Sequence, residues 1–184
     1  MTEHQQIAHT NFHESELDDI YYHCVFTGCD FSEKTITNTE FEHCEFRSCN
    51  FTLCKFKGAL RTILFTDCKM VGANFSEIQR FSHELVFESS QLDYANFSAT
   101  KLRKTVFRKC RMFESYLDDA DLAYTLFDGC DLERASFHHT NLEKADFSTS
   151  FNFCINPNVC KLKKTIFSED GLRGLVAHLN IEIK

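Results

Sequence analysis

The chain has 184 residues, a formal net charge of −7 and a hydrophobic fraction of 43%, which bounds it to one compact domain with at most a short appendage. No run of about 18 apolar residues offers a membrane span, and the acidic balance argues against direct binding of nucleic acid through its phosphates. The start, MTEHQQIAHTNFHESELDD, is polar and acidic and does not read as a signal peptide, so a cytoplasmic protein is expected.

Ten Cys, twenty Phe, a single Pro and no Trp need a specific cause. Ten cysteines would serve a disulfide framework in a small secreted protein, but here their spacing gives them another role. From Phe26 a large apolar residue recurs at every fifth position: Phe26, Phe31, Ile36, Phe41, Phe46, Phe51 and Phe56. Two residues before these centres stand Cys24, Cys29, Thr39, Cys44, Cys49 and Cys54, with Lys34 the exception. A second array runs Phe87, Leu92, Phe97, Leu102, Phe107, Met112, Leu117, Leu122, Phe127, Leu132, Phe137, Leu142 and Phe147. It too has small residues two positions earlier, Ser90 through Ala145, and only Leu85 breaks that rule. A period of five fits neither a helix nor a strand, whose buried positions recur near 3.6 and 2.0 residues.

The units ANFSA, ADFST and CDLER resemble the pentapeptide repeat family, and the resemblance covers about residues 5–167. It implies an all-β fold, a right-handed quadrilateral parallel β-helix in which each pentapeptide forms one side of a square and four make a coil. A side of five residues can point two side chains inward, the centre and the residue two before it. Each coil then buries its core only by stacking on its neighbours, at about 4.8 Å per coil. About eight coils are expected over residues 1–167, followed by a capping segment at 168–184.

Residues twenty apart should share a face. Cys24 with Cys44, Cys29 with Cys49, and Cys110 with Cys130 then form stacked interior pairs of small apolar thiols. Zinc needs ligands converging on one point, whereas successive thiols here enter from different sides, so no metal and no cofactor is expected. His23–Cys24 and His43–Cys44 point opposite ways as adjacent residues, and the sequon-like strings at Asn50, Asn74 and Asn96 are by-products of the repeat.

The phase slips three times. One residue is lost between Leu17 and Phe26, another over residues 55–65, and two are gained over residues 77–87. The gain predicts a bulge near Gln79 to Glu84, which fits either a functional loop or a corner defect. Following faces through the slips, the positions just before Phe26, Phe46, Phe65, Phe87, Phe107, Phe127, Phe147 and Phe167 are Val25, Glu45, Leu64, Val86, Val106, Leu126, Asp146 and Ile166. Such an outward apolar stripe, with Val86, Val106 and Leu126 at its middle, fits a partner surface or the preference of β-branched residues for a parallel ladder.

After Phe147 the repeat dissolves into SFNFCINPNVCKLKK. In the closing SEDGLRGLVAHLNIEIK, Ser168 can cap a helix with Glu169 and Asp170 in its first turn. Leu172, Leu175, Val176 and Leu179 share one helical face, and Ile181 and Ile183 alternate as in a strand. An open coil end exposes core and unpaired backbone, so the tail is expected to be a cap.

The INP stretch with its FS..GL..L...L.I.I ending, and the opening SELDDIYYHCVF, are similar to the branch of the family with the microcin immunity protein McbG. The quinolone-resistance Qnr proteins and the mycobacterial MfpA are more distant relatives. This resemblance implies a homodimer through the C-terminal element, with Leu172, Leu175, Val176, Leu179, Ile181 and Ile183 as contacts. It also implies a non-catalytic, DNA-mimicking rod that binds DNA gyrase or topoisomerase IV and protects it from toxins or quinolones. Local charge density singles out Glu40, Glu42, Glu45, Asp118, Asp119 and Asp121 as phosphate mimics. A basic cluster, Lys101, Arg103, Lys104, Arg108, Lys109 and Arg111, runs against that role, and a general interaction scaffold is the alternative. Polar residues on a convex rod form no pocket to desolvate a nucleophile, so no enzyme is expected.

Overall fold

A computed structural model describes residues 1–78, 80–81, 85–179 and 181–182. In it the five-residue period becomes four parallel ladders, one on each side of a square coil. The Phe26 face is the most continuous. Strands Gln6–Ala8, Val25–Thr27, Glu45–Arg47, Ile63–Thr66, Leu85–Glu88, Val106–Arg108 and Leu126–Asp128 pair in that order. Single bridges then carry the ladder from Leu126 to Asp146 and on to Ile166. Those pairings make eight steps, one for each expected coil.

The Tyr21 face joins Thr2–Glu3, Ile20–Tyr22, Glu40–Glu42, Ala59–Arg61 and Arg80–Phe81, and continues as Lys101↔Asp121↔Asn141↔Lys161. The Phe31 face runs by bridges from Asn11 through Asp30, Asn50, Lys69, Gln91, Arg111 and Asp131 to Phe151. On the Ile36 face, Thr35–Ile36 pairs with Lys55–Phe56, and bridges continue through Asn74, Asn96 and Tyr116 to Ser136.

Every centre from Phe26 to Phe65 is buried, and Phe26, Phe31, Phe46, Phe51 and Phe65 have no exposed surface. Rings on one face stack between coils, as Phe26 on Phe46 (4.7 Å, 13°) and Phe107 on Phe127 (5.1 Å, 9°). Rings on adjacent faces meet edge to face, as Phe26 with Phe31 (5.8 Å, 69°). Both arrangements suit the ring quadrupole. The square section thus follows from filling one narrow axis with rings from four directions.

The small residues do more than fit. Cys49 Sγ donates to the Phe26 carbonyl (3.5 Å), Cys68 to Phe46 (3.4 Å), Cys110 to Phe87 (3.4 Å) and Cys130 to Phe107 (3.3 Å). Hydroxyls take the same role where Thr125 donates to Leu102 (3.0 Å), Thr140 to Leu117 (2.8 Å) and Ser150 to Phe127 (2.7 Å). A buried carbonyl left without such a partner would cost about 1–3 kcal/mol. Lys34, the exception among the small positions, is half-buried and sends its ammonium to the Ser15 carbonyl (2.7 Å). Leu85 points inward and is buried beside Ile63, its ladder partner.

Most sides end in a residue with positive φ, from His23, Glu33 and His43 to His139, Lys144 and Lys164. Among the described corners glycine takes this position only at Gly28, Gly72 and Gly129. The left-handed conformation turns the chain through the corner, and for other residues it costs roughly 1–2 kcal/mol each.

The slips fall where the sequence places them. Ile7 pairs with Phe26, Phe46 with Phe65, and Phe65 with Phe87, so these coils are one residue short, one short and two long. The second shortening depends on Gly58, where a Cβ would come within 2.1 Å of the Thr39 carbonyl oxygen. The bulge expected near Gln79 to Glu84 lies mostly outside the described residues; within it, Arg80–Phe81 pairs with Ala59 and Leu60.

At the C-terminal end, Phe153 is buried and packs on Phe147 and Phe167 at 5.6 and 5.5 Å. Over it lies a short helix, Arg173–Val176, flanked by single 3-10 turns at Asp170–Leu172 and Ala177–Leu179. Gly174 sits so close that a Cβ would fall 2.6 Å from the Phe153 ring, and its carbonyl accepts from Ile155 N–H (3.0 Å). Ser168 does cap the turn, its hydroxyl accepting from Gly171 N–H (3.1 Å). The expected single helical face is divided: Leu175 packs on the core while Leu172 and Leu179 stay exposed. Ile181 and Glu182 form no strand, and Ile183 lies outside the described residues.

Candidate interaction surfaces

The six acidic candidates form two groups. Glu40 and Glu42 flank Phe41 on the Tyr21 face, and Glu45 stands on the adjacent Phe26 face. Asp121 shares the ladder of Glu40 but lies four steps further on, about 19 Å at 4.8 Å per step. Most of these carboxylates are already engaged. Arg61 reaches Glu40 (3.6 Å) and Glu42 (3.7 Å), and Arg47 pairs with Glu45. Asp118 accepts from Ser136 Oγ (2.5 Å) and His138 N–H (2.7 Å). Asp121 meets Arg103 (3.0 Å) and accepts from Asn141 (2.8 Å). Asp119 is exposed at a left-handed corner.

The basic cluster has a physical explanation that spacing along the chain conceals. Its arginines answer carboxylates on neighbouring coils: Arg103 to Asp121, Arg108 to Glu88 (3.9 Å) and Asp128 (3.3 Å), and Arg111 to Asp93 (3.3 Å). Asp93 is buried, and it also accepts from Gln91 (2.7 Å) and Phe113 N–H (3.1 Å). Sequence reasoning passed over Asp93. The signal was its offset of eighteen from Arg111, close to one coil.

Val25, Leu64, Val86, Val106 and Leu126 do lie along one ladder, all half-buried. Glu45 interrupts them, and Ile166 closes the stripe half exposed. Leu64, Val86 and Val106 line a groove of about 510 Å³ with Ile63 and Leu85, bounded by His23, His43, Glu45 and Lys104. His23 stacks on His43 (4.8 Å) and on His4 (5.1 Å).

Eight of the ten cysteines are buried and all ten are free thiols. Burial pushes the Cys44 thiol up to about 11. The adjacent thiols Cys49 and Cys110, together with burial, push Cys68 and Cys130 up as well. Such groups stay protonated and serve as S–H donors, not nucleophiles. Among the described residues no group of three His, Cys, Asp or Glu is placed to hold a metal ion, and no helix is long and apolar enough to cross a membrane. At the capped end, Leu172, Leu179 and Ile181 expose more than half their surface, while Leu175 and Val176 are half-buried.

No curated protein sequence matches the chain. Among solved structures, full-length QnrB1, described as a plasmid-mediated fluoroquinolone resistance protein, aligns over 98% of both chains at 18% identity with a TM-score of 0.56. A trypsin-treated variant of QnrB1 aligns over 100% of both chains at 16% identity with a TM-score of 0.50. HetL, a pentapeptide repeat protein involved in heterocyst differentiation regulation in the cyanobacterium Nostoc sp. strain PCC 7120, aligns over 92% of this chain and 89% of its own at 15% identity, with a TM-score of 0.31. Two sequence models, for pentapeptide repeats in eight copies and for a pentapeptide repeat region, match residues 23–60 and 59–137. With its four parallel ladders and ring-filled axis, the chain belongs to the pentapeptide repeat family.

Proposed function

We propose that the protein works by binding and not by catalysis, and that its partner is a type II topoisomerase of the DNA gyrase and topoisomerase IV class, which it shields from a toxin or a quinolone. The observation that carries this reading is the end-to-end likeness to QnrB1, a fluoroquinolone resistance protein, over 98% of both chains. Charge agrees with it in the first coils, where Asp and Glu outnumber Lys and Arg ten to four over residues 1–60. A narrow acidic rod fits a basic saddle built for a DNA duplex. Exposed Leu172, Leu179 and Ile181 at the capped end suit end-to-end pairing of two copies, which would give the rod the two-fold symmetry of such a saddle. The protein would act in the cytoplasm, where these enzymes work.

The test is DNA supercoiling by purified gyrase with micromolar protein, with and without a quinolone. A change in supercoiling or in drug-induced cleavage that weakens with salt, and that disappears on reversing Glu40, Glu42 and Glu45 in the first coils, is the expected result. No effect under any condition overturns the reading.

A second reading rests on the apolar groove at Leu64, Val86 and Val106, which suits a scaffold for an unrelated protein. Changing Val106 and Leu126 to Ser should leave a topoisomerase effect intact. Loss of the effect in that variant alone would move the site to the groove.

A further inference from the structure

Charge is distributed unevenly along the Tyr21 face. In its first half carboxylates are as exposed as their cations, with Glu40 39% and Arg61 34% exposed. In its second half the cations stand outside. Lys101, Asp121, Asn141 and Lys161 form the ladder, and Lys104, Tyr124, Lys144 and Lys164 the corner beside it. Glu143 is 22% exposed and lies beneath Lys161 (60%) and Lys163 (69%), whose nitrogens are 3.2 and 3.7 Å from its carboxylate. Asp121 is likewise less exposed than Arg103, 30% against 43%. The Lys161 ammonium holds the Glu143 carboxyl below the usual carboxylate range, so the pair stays ionised at neutral pH. The surface is therefore positive on a chain whose net charge is −7.

We infer that this half-face, formed by Lys101, Arg103, Lys104, Lys144, Lys161 and Lys163, is a docking surface for an acidic protein segment in extended conformation. Its dimensions fit such a segment. From Lys101 to Lys161 there are three ladder steps, about 14 Å, the length of about four extended residues. The strip is one face wide, because Asp119 stands at the preceding corner and Asp146 on the next face. Those flanking carboxylates repel a duplex or an anionic bilayer that would overhang the face. Single-stranded nucleic acid would need an open aromatic ring for base stacking. Tyr124, 41% exposed, already has cations over its ring, Arg103 from the preceding coil (5.4 Å) and Lys144 from the following one (4.7 Å), with which a base would have to compete, and Lys144 also meets the Tyr124 hydroxyl (3.0 Å). The acidic surface proposed to meet a topoisomerase is densest in the first coils, so the rod carries two surfaces of opposite sign.

Fluorescence anisotropy with a labelled octaglutamate peptide and the full chain tests this. Micromolar binding in low salt is expected, weakening about tenfold when salt rises from about 0.05 to 0.2 M. The triple variant Lys101→Glu, Lys104→Glu and Lys163→Glu should lose at least about tenfold in affinity and gain binding to octalysine. Reversing Lys55 and Lys57, cations away from this strip, should change affinity less than about twofold. Circular dichroism checks that each variant keeps its fold. Absent binding in low salt overturns the inference, as does an unaffected triple variant. Tighter binding of oligothymidylate or of phosphatidylserine vesicles than of octaglutamate also overturns it, in favour of a nucleic acid or membrane partner.

Discussion

The coils before and after Phe97 fill the same axis differently. In the first coils rings stack on all four sides, Phe12 on Phe31 on Phe51, Tyr21 on Phe41, Phe26 on Phe46 on Phe65, and Phe56 on Phe75, and two sides carry rings on to Phe87 and Phe97 while Leu60, Met70 and Leu92 enter the others. Beyond Phe97 the aromatic stack persists only through Phe107, Phe127, Phe147 and Phe167. The other sides there are mostly aliphatic, with Leu102, Met112, Leu117, Leu122, Leu132 and Leu142 all buried. The aromatic half contains all three changes of coil length, and the aliphatic half keeps twenty residues per coil. Where a coil is short or long, rings still meet face to face, Phe46 on Phe65 at 5.1 Å and 15° and Phe65 on Phe87 at 5.0 Å and 10°. Flat rings thus hold the axis together where the residue count falters.

The sharpest way to break the comparison is Phe46→Ala. It removes a ring in contact with stacked partners above and below in the irregular half, and should cost about 3–5 kcal/mol in urea denaturation. Next comes Gly58→Ala. The new methyl meets the Thr39 backbone, so a loss of about 1–3 kcal/mol is expected, with faster hydrogen exchange confined to the neighbouring coils. A subtler contrast sets Phe65→Leu against Phe127→Leu. Both lose a ring, but only Phe65 bridges coils of unequal length, so it should lose about 1 kcal/mol more. Equal losses would mean that rings do nothing special at the slips. The smallest effect is expected from a thiol reagent at pH 8 on the native protein. Exposed Cys154 should react first and half-buried Cys160 more slowly, while the eight buried thiols wait for denaturant.

The repeat made the fold legible. Inward positions recur every five residues, so centres, small positions, coil count and register slips could be counted directly from Phe and Cys. The surfaces were less legible. Glu40, Glu42 and Asp121 read as free charge along the chain, but their partners Arg61 and Arg103 sit roughly one coil away, and a local charge count does not see across coils. The thiols were recognised as stacked fillers, but not as donors to the carbonyls of the coil below, which is a matter of backbone direction and not of spacing. The tail was legible in part. Its i, i+3, i+4, i+7 pattern does mark one short helical stretch, residues 170–179, but Gly171 and Gly174 press against Phe153, which leaves Leu172 and Leu179 on the outside, and Ile181 forms no strand.

The left-handed corners have an evolutionary consequence. Most sides end in an ordinary L-residue held where glycine or asparagine would be more at ease, a mild local penalty repeated along the whole rod. Each such corner is a place where a single exchange could raise thermal tolerance without touching the axis. The molecule keeps side chains there instead, and those side chains, Lys104, Tyr124 and Lys144 among them, are what it shows to the outside. Ease of turning has been given up for a surface that selection can rewrite one corner at a time.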